Sequence, residues 1–112
     1  MILALTSKTS FASGNDLLRQ CNGLIQLSER KESVASLMDI GRCMGLIQGV
    51  RNTAFIYQEM FKESKITCVP NNVDNVQVAR IIVKYLNENP EQLHKDDALV
   101  AIFALQKTFP CN

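Results

Sequence analysis

Four cysteines and one histidine are the side chains in this 112-residue sequence with the widest range of chemistry. Cys21, Cys43, Cys68 and Cys111 can hold a metal, act as thiolate nucleophiles or join in pairs. Zinc fits poorly: no two cysteines form a C-x-x-C or similar close pair, and His94 is far in sequence from each of them. No metal or other cofactor is expected. Cysteine catalysis needs a base within reach, which leaves only Cys68 or Cys111 with His94, and nothing in the sequence orients that pair. His94 reads better as a surface or half-buried loop residue. An even number of cysteines in a short chain instead fits a disulfide framework in an oxidising compartment, with three connectivities open.

Other enzyme signatures are scarce. The sequence has no Gly-rich phosphate loop, no G-x-S-x-G elbow and no H-E-x-x-H. Glu88, Glu91, Asp96 and Asp97 form an acidic cluster, but carboxylates flanking a helix N-terminus have a sufficient structural explanation. A chain without catalytic residues is expected. Twelve basic and eleven acidic residues nearly cancel, so nucleic acid and anionic membrane are not default partners. A specific protein or a small molecule is favoured.

The elements that must position these residues read as helices. Asn15 is a candidate cap for a helix to Glu29, with Leu17, Leu18, Cys21, Leu24, Ile25 and Ser28 on one face. Ser33 is a candidate cap for a long second helix, whose apolar period runs from Val34 through Leu37, Met38, Ile40, Met44, Ile47, Val50, Ala54 and Tyr57 to Phe61. Cys21 and Cys43 then lie on inward faces of adjacent helices, where bridging is feasible. Gly41, Gly45 and Gly49 recur every four residues, a small-residue ridge expected to pack tightly within the domain, with a subunit interface as the alternative. An irregular link containing Cys68 and Pro70 leads to a third helix, 74–87. Its wet stripe is Gln77, Arg80, Lys84 and Asn87, and it is apolar on two other sides, so it is central or shared with a second chain. The acidic link 87–97 has Pro90 placed to open one helical turn, and it reads as a protrusion. A last helix, 97–108, is assigned Leu99, Ile102, Phe103, Leu105 and Phe109 as its core face and is stopped by Pro110.

The fold class is therefore all-α, a compact bundle of about four main helices with short extra turns, in one domain spanning 14–112. Residues 1–13 read as a residual signal peptide, a late start codon or a polar N-terminal arm, with Ser10 and Ala12 at the minus-three and minus-one positions of a signal-peptidase site. No segment has eighteen uncharged apolar residues, so no membrane-spanning helix is expected.

Residues Cys68 to Cys111 resemble the Tai/Rap family of type VI secretion immunity proteins. The shared pattern falls on Cys68, Val69, Pro70, Gln77, Tyr85, Leu86, Pro90, Glu91, Leu93, His94, Phe109, Pro110 and Cys111, and Cys21 with the 43–49 region fits the looser N-terminal part. The resemblance implies a periplasmic, homodimeric, all-helical inhibitor of a peptidoglycan amidase effector. It also implies that the connection between the last two main helices enters the toxin's cleft. Those residues are Asn87, Glu88, Asn89, Pro90, Glu91, Gln92, Leu93, His94 and Lys95, with Leu93 either an apolar anchor or packed under its own loop. Bridges are expected between Cys21 and Cys43 and between Cys68 and Cys111, the latter holding the connection in shape. The alternative from another class is a periplasmic carrier of a small apolar ligand, with the third helix lining its pocket.

Overall fold

The computed structural model describes residues 12–33 and 35–112. Four helices follow in order: α1 (Gly14–Ser28), α2 (Leu37–Met60), α3 (Asn75–Glu88) and α4 (Asp97–Thr108), with a 3-10 turn at Pro90–Gln92 between the last two. The all-α class and both expected disulfides, Cys21–Cys43 and Cys68–Cys111, are present.

Three helices start where a short polar side chain accepts the free amides of the first turn. The cap of α1 is Ser13 rather than Asn15, in a reciprocal box with Asp16: Asp16 accepts from the Ser13 amide at 2.9 Å while Ser13 Oγ accepts from the Asp16 amide. The cap of α2 is Ser36, again boxed with an aspartate three residues on, Asp39. Ser33, the expected cap, instead accepts from the Ala35 amide in the preceding link. Asp74 caps α3 through the Gln77 amide at 2.7 Å. The end of α1 is a reversal in which Arg30, at φ 61°, takes the left-handed position that glycine usually fills, while the Lys31 amide bonds the Gln26 carbonyl at 2.8 Å.

Helix α3 is central: it packs on α1, α2 and α4, and its Val78, Ala79, Ile82 and Leu86 are fully buried. Its expected wet stripe, Gln77, Arg80, Lys84 and Asn87, is exposed. The other helices supply Leu17, Cys21 and Leu24, then Cys43, Ile47 and Val50, then Val100, Ala101, Ala104 and Leu105 to the same core. Two expected faces are corrected. In α4 Leu105 is buried and Ile102 and Phe109 pack against the core as expected, but Leu99 is exposed and the smaller Val100, Ala101 and Ala104 face inward, where close approach to α3 favours small side chains. In α2 the apolar series mixed two faces: Ile40, Ile47, Val50 and Ala54 are buried, whereas Leu37, Met38, Met44, Tyr57 and Phe61 are exposed, and Val34 lies outside the described residues.

The expectation for the glycine ridge is also corrected. A Cβ at Gly41, Gly45 or Gly49 would meet nothing within 4 Å, so the ridge packs against no part of the described chain. Close packing falls on Gly23, where a Cβ would lie 2.6 Å from the Ala35 Cβ, and on Gly14. Among the described residues no helix is long and apolar enough to cross a membrane.

Candidate functional site

The connection 87–96 is an ordered element tied to the other end of the chain. Asn89 donates through its side chain to the Tyr85 carbonyl at 2.9 Å, closing the end of α3. Pro90 then opens the expected turn, in which the Gln92 amide bonds Asn89 at 2.9 Å and the Leu93 amide bonds Pro90 at 3.1 Å. The entry to α1 runs alongside. Gly14 donates to the Lys95 carbonyl at 2.8 Å, Asn15 to the Leu93 carbonyl at 2.9 Å, and Asp97 back to the Ala12 carbonyl at 3.0 Å. That last bond occupies a free amide at the start of α4, which has no side-chain cap.

Glycine suits this close approach. A Cβ on Gly14 would stand 3.0 Å from the Gln92 carbonyl oxygen and 3.1 Å from both the Cα and the oxygen of Leu93, all backbone atoms. Sequence reasoning did not single out Ala12, Ser13, Gly14 and Asn15 for this role. Their one signal was a glycine at a helix start beside a good capping residue, which local rules explain without a partner.

Within the connection the side chains divide. Asn87, Glu88, Pro90, Glu91 and His94 are exposed, while Asn89, Gln92, Leu93 and Lys95 are half-buried. Leu93 is half-buried and packs against the hydrophobic core, supporting the connection from below. Gln92 turns inward, and its buried Oε1 meets no donor among the described residues. His94 is a surface residue, as expected.

The acidic surplus is smaller than the sequence count suggests. Glu88 pairs with Lys84 at 2.9 Å one turn back, and Asp97, nearly buried, pairs with Arg42 of α2 at 3.0 Å. Among the described residues Glu91 and Asp96 take part in no ion pair, and both are exposed. Lys95 lies 5.9 Å from the centre of the Phe103 ring, its charge directed along the surface. The connection thus presents two carboxylates on a fixed backbone.

The four cysteines have no free thiol to offer, since all are bridged. That removes the Cys/His nucleophile. The Cys68–Cys111 bridge, with Cα atoms 5.2 Å apart, closes the base of the α3–α4 pair. Its surroundings also complete the end of α4: Thr67 Oγ1 donates to the carbonyls of Leu105 and Phe109, and the Cys68 amide bonds Phe109 at 3.1 Å. The connection is at the opposite end of α3, about 20 Å away at 1.5 Å rise per residue. Local hold on the connection therefore comes from α1, and the bridge acts on the pair of helices as a whole.

Two hollows flank α2. One is an open, amide-rich groove of about 820 Å³ between α2 and the 65–75 link, bordered by Gln48, Asn52, Phe55, Asn71 and Asn75. Arg51 shapes its wall by donating to the carbonyls of Val73 and Pro70 and to Asn75 Oδ1. The other, about 320 Å³, is apolar and lies between the glycine ridge, Ile66 and Ile102. The apolar sides of α3 line neither.

The chain is a disulfide-stapled helical bundle with an exposed connection fixed by backbone bonds to the start of α1. The family model of the Rap1a immunity proteins matches residues 13–111, and the chain belongs to that family. The match begins at Ser13, the cap of α1. Searches of the curated proteins and of the solved structures found no significant match.

Proposed function

We propose that the chain is an immunity protein that binds and occludes the active site of a periplasm-acting type VI secretion peptidoglycan amidase effector, protecting the cell that makes it. The supporting observation is the family match over residues 13–111, together with a connection whose backbone is held before any partner arrives. Pre-ordering lowers the entropy lost on binding, so a rigid connection suits an inhibitor that fills a cleft. Asn87, Glu88, Asn89, Pro90, Glu91, Gln92, Leu93, His94 and Lys95 form the contact region. Glu91 and Asp96 meet amide or basic groups of the cleft, and Leu93 braces them from below. Two disulfides suit the oxidising periplasm. The working form is a homodimer, and the chain itself performs no catalysis.

The carrier alternative required α3 to line an apolar pocket. Its apolar sides are instead covered by α1, α2 and α4, and that reading has no structural support. The test is binding and inhibition of the amidase encoded beside this gene. Stoichiometric inhibition is expected, reduced by Glu91→Lys; absence of binding at micromolar concentration would overturn the proposal.

A further inference from the structure

Helix α2 departs from the pattern of a surface helix. Helices α1 and α3 each have a polar outer side, but the outer side of α2 carries apolar or small residues toward both ends, Leu37, Met38, Gly41, Gly45, Phe55 and Ile56, about a polar middle of Gln48 and Asn52, with Glu59 beyond. Leu37 is 77% exposed, Met38 84% and Phe55 64%, with Ile56, Met44 and Met60 also exposed. Large apolar side chains grouped on one exposed helix face mark a contact surface. Arg42 and Arg51, at its margins, are turned into the fold by Asp97 and by the 70–75 link. The polar residues at the middle of the face satisfy one another: Asn75 donates to Gln48 at 2.9 Å, and Gln48 to Asn52 at 3.0 Å. Covering them would leave few unmet hydrogen bonds.

We infer that this face is the contact between two copies of the chain, with the two α2 helices antiparallel and crossing where Gly45 of one lies over the partner's Gln48. This rests on the homodimer reading above and assigns its surface. The face is self-complementary, as a two-fold contact requires. Bulky residues stand at both ends and the open glycines in the waist, so the helices approach closely at the middle. About an axis near Gly45 and Gln48, Leu37 meets the partner's Phe55, Met38 meets the partner's Ile56 and Gly41 meets the partner's Asn52. The groove beside Phe55 gives the partner's Leu37 room to enter. A parallel pair is disfavoured because Glu59 lies on the Gly41 line, 18 residues or five whole turns on, and would face the partner's Glu59. Antiparallel helices also oppose their macrodipoles. The six exposed apolar residues present roughly 750 Å², taking about 200 Å² for each when fully exposed. That is close to the roughly 800 Å² each partner gives to a standard interface.

The test uses the oxidised chain in light scattering and analytical ultracentrifugation, with circular dichroism to verify helix content. Met38→Glu and Ile56→Lys alter exposed positions, so each variant should keep its helices. Each should weaken dimerisation at least about tenfold, and the double variant should recover most of the affinity, since each new charge then meets its opposite across the axis. A wild-type chain that stays monomeric at high concentration overturns both the dimer and this surface. Single variants that remain fully dimeric overturn the surface and leave the dimer standing. Loss of dimer in both single variants without recovery in the double overturns the antiparallel pairing.

Discussion

Replacing Gly14 by alanine tests whether α1 holds the connection. By helix propensity alone the change should help, since alanine is favoured over glycine by up to about 1 kcal/mol in a helix. The surroundings oppose it. The new methyl would lie 3.0 to 3.1 Å from three backbone atoms of Gln92 and Leu93, and relief requires the connection to retreat by a few tenths of an ångström. Retreat stretches the bonds from Gly14 to Lys95, at 2.8 Å, and from Asn15 to Leu93, at 2.9 Å. Overpacking costs about 1–3 kcal/mol, and each weakened bond forfeits part of about 1 kcal/mol. After the propensity gain, a net destabilisation of about 1–2 kcal/mol remains, or a fall in Tm of about 4–8 °C for a chain this size. Thermal unfolding gives the first number. Hydrogen exchange gives the location: the Leu93 and Lys95 amides, bonded within the turn, should lose protection ahead of the core of α3. Gly23→Ala serves as the control. Its methyl would lie 2.6 Å from Ala35 and 3.0 Å from Ile40, so it should destabilise the α1–α2 contact and spare the connection. A Gly14→Ala protein as stable as the parent, with unaltered exchange at 92–95, would refute the reasoning.

Arg42→Ala should cost about 1–2 kcal/mol in chemical denaturation because it strands the nearly buried Asp97 carboxylate, whereas Arg19→Ala, at an exposed pair with Asp39, should cost under about 1 kcal/mol. Equal effects would argue against the buried pair. Arg30→Gly should stabilise by about 0.5–1 kcal/mol, since glycine takes the 61° φ without steric cost; a loss of stability would contradict it. Acid should destabilise the fold. The Ser13 amide holds Asp16 below the usual carboxylate range, Lys31 and Arg80 do the same for Glu29, and at Asp39 desolvation is outweighed by Ser36 and Arg19. Folded values below unfolded ones stabilise fully above about pH 4, and that contribution disappears as pH falls through the folded values. Urea midpoints should therefore drop below about pH 4, with a smaller drop in Asp16→Asn; a midpoint rising on acidification would refute this.

Local rules made much of the fold legible. Four amphipathic or apolar periods, a turn opened by Pro90 and a stop at Pro110 are signals confined to a few neighbouring residues, and the helices 75–88 and 97–108 lie within a residue of where those signals put them. The caps of α1 and α2 were misplaced because several small polar residues compete in each link, and the boxes Ser13–Asp16 and Ser36–Asp39 win by reciprocal bonding. Faces were harder than spans. In α4 the choice between Leu99 and Val100 as the inward residue depends on how near α3 lies, which periodicity does not encode.

By itself the sequence determined the helical class, the two apolar sides of α3, the acidic connection opened by Pro90 and four cysteines suited to an oxidising compartment. These follow from periodicity, composition and residue type, which act over one or two turns. Tertiary structure alone decided that Glu88 and Asp97 are neutralised by Lys84 and Arg42, and it chose for Leu93 the place against the core. It also decided the roles of the glycines: Gly14 and Gly23 sit where another segment touches them, while Gly41, Gly45 and Gly49 open onto space. Glycine has no side chain to report its surroundings, so its role is fixed by what the rest of the fold brings within 4 Å of it.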